Sequence, residues 1–260
     1  MKNTALITGA SGGIGRELAI IHAEKGGDLV LVARNKEKLE KLKSELESSK
    51  GVKEMVIKKD LSQPAAAGEV YNEMNKAGID IDILINNAGF GGIGKFYERP
   101  WEEDRNMINL NILALTALTR YFLPDFVKRG RGKILNVSST ASLVPGPLQA
   151  VYYATKAYVT FFSNALSEEL RGTGVTVTNL MPGATQTNFG KISGMDKTSL
   201  FNNAADARDV AEAGYKGMLK GKIDVIAGLS FPQQLMLKTT PFLPKKIVLS
   251  QIRKMQEVKN

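Results

Sequence analysis

The 260-residue chain contains no cysteine, one histidine (His22) and one tryptophan. Without cysteine there is no disulfide, no thiolate nucleophile and no cysteine-ligated zinc, a composition that suits a reducing compartment. A single histidine is too few for a histidine-based metal site, so no metal is expected. No stretch of 18 apolar residues occurs, and residues 1–15 run into glycines before a signal-peptide core can form. These absences predict a soluble, cytoplasmic protein. What remains is ordinary globular usage, 43% hydrophobic and 23% charged, which excludes wholesale disorder.

Basic residues exceed acidic ones by nine, and most of that excess falls within 216–260. Either a solvated basic surface or an anionic partner accounts for it. Nucleic acid is not expected as a partner, because no base-stacking aromatic pattern accompanies the charge.

Short apolar runs at 4–8, 29–33, 53–58, 81–86, 133–138, 174–180 and 223–227 alternate with amphipathic segments. Runs that are apolar at successive positions are strands buried on both faces, the mark of a parallel sheet. Between them, residues 35–48 place Leu39, Leu42 and Leu46 on one helical stripe, with Asn35 positioned to cap. The pattern predicts one α/β domain over 1–230, a doubly wound seven-stranded parallel sheet with helices on both faces. Residues 231–260 read as an apolar, basic helical extension of it. Ligands of such sheets bind beyond the carboxyl ends of the strands.

The first strand runs directly into Gly9-Ala10-Ser11-Gly12-Gly13-Ile14-Gly15. A glycine turn between a strand and a helix lets backbone N–H groups and the helix N-terminus approach a pyrophosphate. The same letters match the nucleophile elbow G-x-S-x-G, but that chemistry needs a histidine base later in the chain. His22 lies in the very next helix and reads as a packed or surface residue.

Four further motifs follow. Asn86-Asn87-Ala88-Gly89 ends the fourth strand, Ser139 follows the fifth, Tyr152-x-x-x-Lys156 comes 13 residues later, and Pro182-Gly183 with Thr187 follows the sixth. With the glycine turn, this set over residues 3–190 resembles the single-domain branch of the short-chain dehydrogenases/reductases. The resemblance implies a Rossmann-like fold and hydride transfer between a nicotinamide cofactor and a carbonyl or alcohol. It assigns Gly9, Ser11, Gly13, Ile14, Gly15, Asn87, Ala88, Gly89, Tyr152, Lys156, Pro182, Gly183 and Thr187 to the cofactor. Asp60, with Leu61 beside it, resembles the family's adenine-contacting acid. Counting back from Ser139 selects Asn111, on a long helix predicted over 101–129, as the family's catalytic asparagine. By resemblance its backbone kinks the helix and opens a proton route from Lys156. Residues 184–205 correspond to the substrate lid, with Phe189, Ile192 and Met195 as candidate substrate contacts. A homodimer or homotetramer built on helices 101–129 and 151–171 is implied as well.

The residues make chemical sense without the family. Tyr152 and Lys156 stand one helical turn apart on one face, where an ammonium, together with a positive nicotinamide ring, is expected to lower the phenol's pKa. Tyr153 competes for the same lysine, and the i+4 spacing favours Tyr152. Ser139 offers a hydroxyl to a substrate oxygen as charge develops on it. At the end of the second strand, where NAD-specific sheets carry an acid, stands Ala33-Arg34-Asn35. Arg34 can pair with a ribose 2′-phosphate, so NADP(H) is the expected cofactor, with Ser11 adding a hydroxyl.

The expected small-molecule substrate is a bulky apolar carbonyl or alcohol, such as a steroid-like ketone or a 3-oxoacyl compound. The rival readings are a non-catalytic dinucleotide sensor and a nucleotide-sugar epimerase or dehydratase. The tail holds Phe231, Leu235, Met236, Leu237, Phe242 and Leu243, then a basic helix predicted to align Val248, Ile252 and Met255. Such a helix packs on its own chain or a second copy, lies on an anionic membrane surface, or docks an acidic partner.

Overall fold

The computed structural model describes residues 3–240 and 243–257. Seven strands, β1 (Thr4–Thr8), β2 (Asp28–Ala33), β3 (Glu54–Lys58), β4 (Ile83–Asn86), β5 (Gly132–Val137), β6 (Val175–Pro182) and β7 (Asp224–Ala227), form one sheet. Its order is β3-β2-β1-β4-β5-β6-β7, and every pairing is parallel. The direction of winding reverses between β1 and β4, which opens a crevice at their carboxyl ends.

The helices are α1 (Gly13–Glu24), α2 (Lys36–Lys50), α3 (Ala66–Lys76), α4 (Trp101–Ile108), α5 (Leu115–Arg129), α6 (Ala150–Glu169), α7 (Asn188–Ser193), α8 (Ala207–Leu219), α9 (Phe231–Thr239) and α10 (Lys245–Gln256). They cover both faces of the sheet. Leu29, Leu31 and Ala33 of β2 pack with α1, α2 and α8, whereas Val30 and Val32 pack with α3 and α5. Strict alternation between two apolar layers is why the strand reads as an unbroken apolar run. Asn35 caps α2 as its position suggested, its Oδ1 accepting from the Lys38 amide at 2.9 Å.

The stretch 101–129 is interrupted around Asn111, where the resemblance implied a kink: α4 and α5 are joined by a π-helical turn over Asn109–Ala114. That turn carries Asn111 inward, where the Phe90 backbone holds its side chain. On α10 the inward stripe is Val248, Ile252 and Gln256, not Met255. Gln256 is fully buried while Met255 is 36% exposed, because successive i+4 steps from Val248 land on Gln256. Phe242 lies outside the described residues, as do the side chains of Phe231 and Met236.

His22 is a packing residue. Its Nδ1 lies 2.8 Å from the Tyr215 hydroxyl on α8 and its Nε2 lies 3.0 Å from the Asn3 carbonyl. Burial lowers its pKa from the usual imidazole value.

Glu54, on the edge strand β3, is buried, and neither carboxylate oxygen has a hydrogen-bond partner. Burial, reinforced by the charge of Glu47, pushes its pKa up to about 8 from 4.5. As pH rises between those values, the unfolded chain releases this proton before the folded one does. Folding stability therefore falls across that window and levels off above it. Glu54→Gln is expected to remove the slope. Its melting-temperature gain should be larger at pH 8 than at pH 5 and correspond to about 1–3 kcal/mol. An equal gain at both pH values rejects this account.

Candidate active site

All seven strand ends converge on one cavity of about 500 Å³, within the range of small-ligand sites. Its floor is the turn after β1. Gly9 has φ +69°, and a Cβ there would stand 2.7 Å from Nδ2 of Asn87. Gly13, at φ +55°, would meet the Thr187 methyl at 2.9 Å. Any side chain at either place would fill the cradle. No side chain caps α1, so its first N–H groups remain directed at the turn, an arrangement that attracts an anion. Gly15 does not line the cavity. A Cβ on it would stand 2.4 Å from the Gly9 carbonyl, so glycine is required for α1 to pack against the turn.

Thr8 braces this floor. Its hydroxyl accepts from the amides of Asn87 and Ala88, both at 3.0 Å, and Asn87 Nδ2 donates to the Thr8 carbonyl at 2.9 Å. Asn86, the other half of the pair, is buried and donates to Asn136 and Thr119, away from the cavity. Arg34, Asp60 and Leu61 line the end of the cavity next to the glycine turn. The Asp60 carboxylate accepts from the amide and hydroxyl of Ser62, which fixes the loop after β3. Lys38, three residues beyond Asn35 on the first turn of α2, lines the same end.

At the other end, α6 presents Tyr152 and Lys156, and Ser139 projects from the loop after β5. Lys156 is buried, and its Nζ donates to the Val137 carbonyl at 2.9 Å and stands 5.9 Å from the centre of the Tyr152 ring. Burial lowers the Lys156 pKa to about 8. Burial dominates and raises the Tyr152 pKa above its usual value, while the facing Ser139 hydroxyl opposes that rise. Tyr152 is thus held as a neutral phenol, a proton donor, at physiological pH.

Asn111 sits behind these groups and does not line the cavity. Its Oδ1 accepts from the Phe90 amide at 3.1 Å, and its Nδ2 donates to the Phe90 carbonyl at 2.9 Å and to Thr155 Oγ1 at 3.0 Å. Thr155 in turn donates to the Tyr152 carbonyl at 2.7 Å. The asparagine thus ties the loop after β4 to the helix that bears Tyr152. Pro182 and Gly183 close one side, and Thr187 caps α7 by accepting from the Phe189 amide at 3.2 Å. The Phe189 ring lies 5.5 Å from that of Tyr152, and Ile192 and Met195 complete an apolar wall.

Several lining residues were not anticipated. Phe201, Asn203, Leu229 and Gln233 reach the cavity from beyond α7, and nothing local in their sequence marks them. Lys38 had a signal, a second cation one turn past Arg34. Arg99 pairs with the buried Asp104 at 2.9 Å and donates to the Ile93 carbonyl at 3.0 Å, pinning the loop that follows Gly89. Among the described residues no cluster of His, Asp and Glu suits a metal ion, and no helix is long and apolar enough to cross a membrane.

A doubly wound parallel sheet with a glycine cradle at its switch point and a tyrosine–lysine pair on the facing helix is a Rossmann-like architecture. Residues 3–197 match the family model for short chain dehydrogenases, and the chain belongs to that family. It is 36% identical over 199 residues to human very-long-chain 3-oxoacyl-CoA reductase, a match covering 72% of this chain and 61% of that enzyme. Matches to the first curated relatives span only 53–62% of their lengths. A short-chain dehydrogenase from Sphingobium yanoikuyae, solved with NADPH, superposes with TM-score 0.83 and 33% identity over 99% of both chains. A bulky-bulky ketone specific alcohol dehydrogenase from Comamonas testosteroni gives 0.78 and 31%, covering 98% of this chain and 97% of that one.

Proposed function

We propose that the protein reduces bulky apolar carbonyl compounds, ketones or 3-oxoacyl thioesters, with NADPH. One observation carries the reading: a single cavity has Arg34 at its nucleotide end, just after β2 where NAD-specific sheets carry an acid, and Ser139, Tyr152 and Lys156 against an apolar wall at the other. Bound NADPH would supply the hydride, held by the glycine turn, Asn87 to Gly89, Lys156 and Thr187. Ser139 donates a hydrogen bond to the carbonyl oxygen as negative charge grows there. Tyr152, kept protonated by burial, gives that oxygen its proton. Lys156 supplies positive charge beside them, and Asn111 fixes the helix on which both Tyr152 and Lys156 ride. A protein that only senses a dinucleotide has no use for this set. The NADPH in the Sphingobium structure and the substrate classes named for the human and Comamonas relatives support the same choice.

The test follows the loss of dihydronicotinamide absorbance across a homologous series of ketones and 3-oxoacyl thioesters. Each added methylene is expected to raise kcat/KM, by up to the equivalent of ~0.8 kcal/mol, until the pocket is full. A flat or falling series rejects an apolar pocket.

The assembly we favour is a homodimer or homotetramer that covers the exposed side chains of α5 and α6. Phe161 is 73% exposed there, with Tyr121, Val127 and Tyr158 also outward. Light scattering is expected to show more than one chain per particle, and Phe161→Glu to shift it toward the monomer. The outer face of α10, where Lys246, Arg253 and Lys254 lie beside exposed Ile247, also suits an anionic lipid surface. Cosedimentation with anionic but not neutral vesicles checks that contact.

A further inference from the structure

α10 does not line the cavity, yet two contacts from its last turn reach residues that bear on it. Gln256, fully buried, donates from Nε2 to the Tyr153 hydroxyl at 2.6 Å. One residue earlier, the Met255 carbonyl accepts from the Ser199 hydroxyl at 3.2 Å. Tyr153 lines the cavity and stands edge-on to Tyr152, ring centres 6.0 Å apart. Its ring lies so close to Gly146 that a Cβ there would come within 2.2 Å of it. Ser199 begins the short turn Ser199–Phe201, and Phe201 lines the cavity with its ring against Gly190. The two tethers therefore hold two parts of the cavity lining, one on α6 and one in the segment after α7. The buried amide of Gln256 is committed to this contact. Its oxygen has no partner, a cost that a leucine at the same place would avoid.

We propose that Gln256 is a positioning residue for substrate selection: by gripping Tyr153 while the same turn holds Ser199, α10 sets the distance between Tyr153 and Phe201 and so the width of the substrate end. This deepens the carbonyl reductase reading above and rests on it. A polar residue on an otherwise apolar stripe of α10 fits a role of direction rather than of adhesion. The hydrogen bond fixes one angular placement of the Tyr153 ring, which apolar packing alone would leave free.

The experiment compares the parent protein with Gln256→Leu, Tyr153→Phe and the double variant. In the ketone series, Gln256→Leu is expected to reduce discrimination between the best substrate and longer or shorter ones by about fivefold to tenfold, the equivalent of one neutral hydrogen bond. The change should be carried by KM rather than kcat. The double variant should discriminate no worse than the poorer single one, because both substitutions break the same link. Gln256→Glu, which can accept from the Tyr153 hydroxyl, should restore part of the selectivity. Additive effects, or a lower melting temperature with unchanged discrimination, overturn the proposal. Hydrogen exchange supplies a readout independent of turnover. Gln256→Leu should speed exchange in α10 and in Ser199–Phe201 together, and acceleration confined to α10 overturns the coupling. If the parent protein turns over no carbonyl, the reductase reading fails, and the coupling is judged on exchange alone.

Discussion

Tyr152→Phe is expected to lower the reduction rate by at least ~10²–10⁴-fold, the usual contribution of a positioned acid–base group. The substitution keeps the ring that packs against Phe189 and Tyr153 and removes only the hydroxyl. NADPH affinity, measured by quenching of cofactor fluorescence, should barely change, so the loss falls on kcat. The pKa directions add a pH signature. Because burial raises the Tyr152 pKa, the phenol is protonated throughout the neutral range and reduction should vary little there. Alcohol oxidation needs the phenolate and should climb with rising pH over the same range. Lys156, whose pKa is lowered to about 8, loses its positive charge near the top of that range, which should blunt the climb. Tyr153→Phe is the control, since its hydroxyl faces Gln256 rather than Ser139. Near-normal turnover in Tyr152→Phe beside a dead Tyr153→Phe would move the acid by one residue.

The sheet was legible because burial on both faces leaves runs such as Leu29 to Ala33 apolar at successive positions. The glycine cradle and the Tyr152–Lys156 spacing were legible because each is local: a strand end, a turn and a helix face lie within a few residues. The inward turn at Asn111 was different. The resemblance implied a kink there, but nothing in Asn-Leu-Asn-Ile-Leu-Ala itself distinguishes a π turn from a regular helix. The turn is visible only where the side chain of Asn111 meets the backbone of Phe90, 21 residues away in sequence. The burial that raises the Tyr152 pKa was not legible for a related reason. Spacing shows that an ammonium is near, but not that its nearest partner is the Val137 carbonyl or that the phenol is dry. The Gln256 contact spans 103 residues and links two segments with no shared pattern, so no periodicity could have suggested it.

NADPH is expected to exceed NADH by more than tenfold in kcat/KM, and Arg34→Ala to remove most of that preference, as loss of a charge-assisted contact worth ~1.5–3 kcal/mol implies. The argument turns on which cations at the nucleotide end are free to act. Lys59 also lines it, but its Nζ lies 2.9 Å from Glu69 and 3.5 Å from Glu73, so its charge is already answered. Asn35 is spent on the α2 cap. Among the described residues, Arg34 and Lys38 have no acidic partner, and both are exposed. A 2′-phosphate arriving there meets two cations and the N-terminus of α2, whose dipole adds to the attraction. Lys38→Ala should therefore cost less than Arg34→Ala, because a lysine makes a point contact where the planar guanidinium can bind two oxygens and stack on the adenine. Exposure also makes the preference salt-sensitive: raising ionic strength should weaken NADPH more than NADH. Steady-state kinetics with both cofactors at two salt concentrations decides the matter. A preference that survives Arg34→Ala, or that ignores salt, would place the 2′-phosphate elsewhere in the cavity.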